Sequence, residues 1–284
     1  MQECRLAGST FDIAAAAGWY SAIAGLLAGF ALLAILLPLD HDSAAEGDEG
    51  IGAAQSVVIF TCAFFSLLIL GVSYAILSGR TGDGPERSIA AHEQLLNGSA
   101  FGLSTLLLLF GLRSVLAAYG RNRAVFLPAR SVMLTMSAVL GPVVSLSLQF
   151  ANAMDIEAYR ASVSPETNDC TVGGLSSGVW INIVITVAAL LVILLLALVR
   201  HRLPRTIKAS ELIAKGVLGY TVAIVVWTSM VVPLLSRDVV AGAVFEHVTL
   251  SATGVATILV AAAAWAARGP DDLTDEEATS TATR

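Results

Sequence analysis

Charge is what this chain lacks. Only 13% of its 284 residues are Asp, Glu, Lys or Arg, against about 25% in a soluble globular domain. That composition excludes an ordinary water-soluble enzyme. A hydrophobic fraction of 56% equally excludes an intrinsically disordered chain. Lysine is nearly missing: Lys208 and Lys215 are the only two among 16 basic residues, the others being arginines. The formal net charge is −6, so no basic excess exists to hold nucleic acid. Cysteine is scarce too. There are three, with no Cys-x-x-Cys and no Cys/His spacing of a metal site. Met1 to Asp12 lacks the basic segment and cleavage site of a signal peptide.

What the chain has instead is long apolar runs. A helix needs about 20 apolar residues to cross a bilayer. Uncharged stretches of that length lie between ionisable residues, and they predict seven spans, at about 14–39, 54–78, 97–118, 131–153, 176–199, 213–235 and 246–267. Arg113 interrupts the third, which is the weakest of the set. None of the runs shows the alternation of ~10-residue barrel strands. Backbone groups in hydrocarbon must be bonded within their own segment, so all seven read as helices. The expected fold is therefore all-α, a polytopic membrane bundle of seven transmembrane helices. It occupies residues 1–268 and is followed by an acidic disordered tail at 269–284.

Basic residues set the expected orientation. Eleven fall on one face of a seven-span chain and five on the other. The richer face should be cytoplasmic, which puts the N-terminus outside, the C-terminus inside and the chain in the cytoplasmic membrane. Acidic loops with almost no lysine fit a salt-adapted organism, or simply a genome rich in G and C.

Three groups of side chains stand out within this frame. Gly25 and Gly29 form a GxxxG pair that admits a second backbone. Packing inside the bundle is the simpler use of it, and a homo-oligomer face is the alternative. The fourth run is the most polar, carrying Ser131, Thr135, Ser137, Ser145, Ser147, Gln149 and Asn152 around a central Gly141-Pro142. Polar groups in a span face the bundle interior. Thr135, Ser145 and Gln149, with Asn182 of the fifth run and Tyr220 and Trp227 of the sixth, are the candidate walls of a ligand cavity. The third group is a rim on the outer face, with His92-Glu93 and Glu246-His247. His92 and His247 are candidate metal ligands, and Glu246 and His247 a candidate acid–base pair. Glu246 near a helix N-terminus is equally explained by the helix dipole. Cys4 and Cys170 fall on the same outer face and are the expected disulfide. Cys62, inside a run, reads as a small buried hydrophobe.

No Asp, Glu, His or Lys stands in the middle of any run, which argues against ion-coupled transport. If Cys170 is instead a free thiol, another reading opens. Cys170-Thr171-Val172-Gly173-Gly174-Leu175-Ser176-Ser177 resembles the cysteine-bearing helix start of exosortases and archaeosortases, membrane-embedded thiol transpeptidases. The resemblance implies Cys170 as nucleophile and His247 as the final basic group. It covers under a tenth of the chain. The family's arginine in the following helix has no counterpart, since Gly216–Ser236 contains none. Seven spans with an outer N-terminus also resemble microbial rhodopsins, but the seventh run has no lysine to carry retinal. The Gly174–Gly178 segment lacks the GxSG of a rhomboid protease. The expectation is thus a non-enzymatic membrane protein with no cofactor, embedded in lipid, that binds an apolar or amphiphilic ligand or a membrane partner. A thiol enzyme and a facilitator of a neutral solute are the alternatives.

Overall fold

A computed structural model of the chain describes residues 12–41, 48–79, 85–119, 127–163, 175–202, 208–234 and 242–266. Among these, seven helices are long and apolar enough to span a membrane, and no strand pairs into a sheet. The protein is an all-α multi-pass membrane bundle. Cys4, Cys170 and the acidic tail lie outside the described residues.

The helices are α1 (Ile13–His41), α2 (Asp48–Ser78), α3 (Pro85–Tyr119), α4 (Leu127–Thr135), α5 (Gly141–Val163), α6 (Ser177–Leu198), α7 (Lys208–Val226) and α8 (Ala243–Ala266). A single π turn, Met136–Leu140, joins α4 to α5, so these two make one span. A second π turn, Trp227–Val231, prolongs α7. Both turns precede a proline. The Gly141 N–H bonds Met136 O just before Pro142, and the Val232 N–H bonds Trp227 O just before Pro233. A proline ring clashes with the carbonyl four residues back, and one wider turn relieves that clash without breaking the helix. At Gly141-Pro142, the centre of the fourth run, the helix continues through this bulge.

Start signals are local. The Asp12 carboxylate accepts from the Ala15 N–H at 3.0 Å and opens α1. Ser176 opens α6 by accepting from the Val179 N–H at 3.3 Å.

Helix α3 is the central column. Of its membrane window 78% is buried inside protein, against 22% for α1 and for α6. The span that looked weakest by hydropathy is therefore the one that meets least lipid. A helix wrapped by other helices needs polar partners more than an apolar surface. Arg113, which interrupts the run, is buried and donates to the carbonyl of Ala264 at the end of α8. There it satisfies an orphan carbonyl at the negative end of a helix.

Helix α1 packs on α2 through small residues. Ala17, Ala24, Ala28 and Ala31 are buried, and Ser21 Oγ of α1 donates to Gly71 O of α2 at 2.8 Å. Gly25 and Gly29 are exposed, and a Cβ on either would meet nothing within 4 Å. The alanines, not the GxxxG pair, make the close stripe of this interface. The pair faces away from the bundle.

Alternating spans bring the starts of α3, α6 and α8 together with the end of α5. The rings of His92 and Phe245 lie 5.0 Å apart there. At the opposite end Arg200 sits over the Trp265 ring at 5.4 Å, beside the Arg113 contact.

Candidate functional site

Helix α5 runs three turns past the point where the sequence suggested a loop. The first charged residues after Met154 looked like a boundary, but Asp155, Glu157 and Arg160 are all helical. Glu157 and Arg160 form an i,i+3 ion pair, the spacing that faces along one side of a helix. Their neighbours explain why the charges remain inside. Ser176 Oγ, the cap of α6, donates to Glu157 Oε2 at 2.8 Å. Gly178 lets the carboxylate settle against the α6 start, because a Cβ there would overlap it.

Arg160 also donates to Glu246 Oε2 of α8 at 2.9 Å. Glu246 is fully buried, in the first turn of its helix. Its other oxygen accepts from Asn182 Nδ2 of α6. Since Nδ2 donates, Asn182 Oδ1 must accept, and it takes the proton of His247 Nδ1 at 2.9 Å. The chain His247–Asn182–Glu246–Arg160–Glu157–Ser176 thus clamps three helices together at one end of the bundle.

Two carboxylates face one guanidinium, and each also lies at a helix N-terminus, whose partial positive charge favours it.

Behind the clamp, a belt of uncharged polar groups surrounds α3. On the α2 side, Ser73 Oγ donates to Asn97 Oδ1 at 3.2 Å. On the α7 side, Ser99 gives its proton to Leu96 O at 2.6 Å. The Tyr220 phenol, 2.7 Å from Ser99 Oγ, must then be the donor in that contact. Thr253 of α8 is buried as well and donates to Thr249 O at 2.8 Å. On the α5 side two glycines of α3 are decisive. A Cβ at Gly98 would overlap the Asn152 amide and come within 3.1 Å of Gln149 Nε2, and one at Gly102 would overlap the Ser145 hydroxyl. The α3 backbone is pressed against the polar face of α5 at these two points.

The belt is not saturated. Gln94 and Gln149 are each 1% exposed. Among the described residues, neither end of either amide has a hydrogen-bond partner, and the same holds for Ser145 Oγ and Asn97 Nδ2. An unpaired buried polar group costs about 1–3 kcal/mol. Several in one place call for an occupant.

The sequence-predicted residues fall into separate places. Ser145 and Gln149 are in the belt. Tyr220 joins it from α7. Asn182, expected in the same cavity, belongs to the clamp with Glu246 and His247. Thr135 and Trp227 do not line an interior: Thr135 is exposed and donates to Ser131 O at 3.1 Å, and Trp227 is 44% exposed. His92 shares an end with His247, packed on Phe245. No three metal-donor side chains converge among the described residues. Cys62 is buried and free.

Sequence reasoning missed Glu157, Arg160, Gln94 and Asn97. The i,i+3 charge pair and the i,i+3 amide pair were both visible. Neither glycine nor proline intervenes between Met154 and Val163 to end the helix. No sequence-family model matches this chain, and no curated protein or solved structure matches it.

Proposed function

We propose that this chain is a non-enzymatic membrane protein of the cytoplasmic membrane that binds an amphiphilic ligand through the polar belt around α3. The observation that carries this reading is the buried, unpartnered amide of Gln149 against Gly98, with Gln94 in the same state. Amides offer both donors and acceptors. Glu157, Arg160 and Glu246 are already engaged with one another in the clamp. The ligand head that suits such a belt is uncharged and bears both hydroxyl- or amide-type donors and acceptors, and the surrounding leucines and phenylalanines suit its apolar part.

The belt's extent favours binding over conduction. Its α3 members run from Gln94 to Ser104, about 15 Å along the axis at 1.5 Å per residue, roughly half of a ~30 Å hydrocarbon core. Beyond it Leu106, Leu107 and Phe110 are buried among apolar neighbours. The polar belt therefore does not run the length of the span. In this reading the arginine-rich face lies in the cytoplasm, the clamp faces outward, and the acidic, lysine-poor loops suit a salt-rich medium.

The test is native mass spectrometry of gently extracted protein, with solvent extraction to identify what is released. A retained adduct in the wild type, lost in Gln149→Leu, supports the reading. A bare wild type, with Gln149→Leu folded and at least as stable, would falsify it.

A further inference from the structure

The end of the bundle away from the clamp carries an arrangement of its own, where α6 and α8 finish. Helix α6 meets lipid along most of its length, with only 22% of its membrane window inside protein. Leu191, Leu194, Leu195 and Leu198 are exposed, and a spacing of i, i+3, i+4 and i+7 puts them on one face. The Val199 N–H still bonds Leu195 O at 2.9 Å, and the Arg202 N–H bonds Val199 O at 2.9 Å. The chain thus makes one tight turn, Arg200–Arg202, directly after the leucines. Arg202 is exposed. Arg200 lies against α8, its guanidinium carbon 5.4 Å from the centre of the Trp265 ring. Trp265 is buried, and the carbonyl just before it, Ala264 O, accepts from buried Arg113.

We propose that this end is a docking surface for an anionic phospholipid, whose acyl chain lies along the leucine face of α6 and whose phosphate is taken by Arg200 and Arg202. Position and charge argue for this occupant. A leaflet lipid carries its phosphate just beyond the hydrocarbon, and the arginines begin two residues past the last exposed leucine. A head group of net negative charge gains more from them than a zwitterionic one. The stack on Trp265 decides how Arg200 acts. It occupies the flat face of the guanidinium, whereas the N–H donors lie in the plane of the group, along edges where a phosphate accepts two at once. A guanidinium already fixed in place also loses less freedom on binding. Lys215 of α7, at the same end of the bundle, differs in carrying its own counter-charge, Glu211 at 2.6 Å. This surface is on the outside of the bundle and does not depend on the belt.

The experiment is native mass spectrometry of full-length protein titrated with phosphatidylglycerol, or with phosphatidylcholine of the same acyl chains. Wild type should bind phosphatidylglycerol about tenfold or more tightly than phosphatidylcholine. Arg200→Gln and Arg202→Gln should each weaken phosphatidylglycerol binding about fivefold, and the double variant about twentyfold, with phosphatidylcholine unchanged. Trp265→Leu keeps every charge and should weaken it about threefold, and Trp265→Phe should restore most of that. Lys215→Gln, which removes a paired charge at the same end, and Gln149→Leu, which alters only the belt, should bind as wild type does. Equal affinity of wild type for the two lipids overturns the proposal, as does a double arginine variant that binds phosphatidylglycerol normally. An effect of Lys215→Gln as large as that of Arg200→Gln overturns it too, because general surface charge would then suffice. Trp265→Leu without effect overturns the part given to the stack. Displacement of bound phosphatidylglycerol by inorganic phosphate assigns the arginines to a free anion and overturns the lipid.

Discussion

Arg160 and Glu246 stand 86 positions apart in the chain and 2.9 Å apart in the fold. The contact closes α5 on α8, and it joins a carboxylate with no exposure to an arginine that also serves Glu157. Glu246→Ala would leave that guanidinium and the Asn182 amide short of an acceptor inside the bundle. Removing one partner of a buried pair costs about 3–5 kcal/mol. Glu246→Gln keeps the shape and part of the bonding, and should cost about 1–2 kcal/mol. Denaturant titration in micelles should rank them in that order. An alanine variant as stable as wild type would mean the clamp contributes nothing to the fold.

Gly98 should not tolerate a methyl group. A Cβ there overlaps the Asn152 amide, and overpacking costs about 1–3 kcal/mol. The better helix propensity of alanine returns at most ~1 kcal/mol. Gly98→Ala is thus expected to lower the melting temperature. Asn152→Ala in the same chain should recover much of the loss, a coupling visible in a double-mutant cycle. Gly216→Ala on α7 is the control: nothing lies within 4 Å of its Cβ, and it should be neutral or slightly stabilising.

Gly178 plays the corresponding part for Glu157. Gly178→Ala places its Cβ in the carboxylate and should push α6 from α5. Glu157→Ala vacates that space. The double variant should cost less than the sum of the two singles by about 1 kcal/mol. Strict additivity would show that the carboxylate does not rest on the helix start.

Cys62 is buried on α2 among apolar neighbours. Thiol reactivity follows the thiolate and its access. N-ethylmaleimide should modify Cys62 roughly tenfold or more slowly in folded protein than after denaturation in SDS. Mass spectrometry of alkylated peptides measures this directly. Fast labelling of folded protein would place Cys62 at a surface instead.

How much of this could be read from the chain alone depends on which solvent a residue faces. Span count and helix type were legible because hydrocarbon tolerates few charges and no unbonded backbone, so apolar runs of sufficient length had a single outcome. Span ends were less legible. The rule that a charge ends a span failed at Glu157 and Arg160, because these groups face protein and helix ends rather than lipid. It misjudged α3 for the same reason: Arg113 looked like an interruption and is a buried cap of α8. Ser145 and Gln149 were recognisable as interior from the polarity of their helix. The separation of Asn182 from them was not, since which helices adjoin is a long-range matter.

The sequence by itself therefore determined the class of solvent, the number of crossings and the polar face of the fourth span, each of which depends on residues close together in the chain. Tertiary structure alone decided that α3 is the central column, that Gly98 and Gly102 press on α5, and that Glu246 meets Arg160, Asn182 and His247. Those outcomes follow from helix adjacency and rotation, which are set by steric fit and by pairing of polar groups many turns apart, and apolar patterning along one helix carries neither.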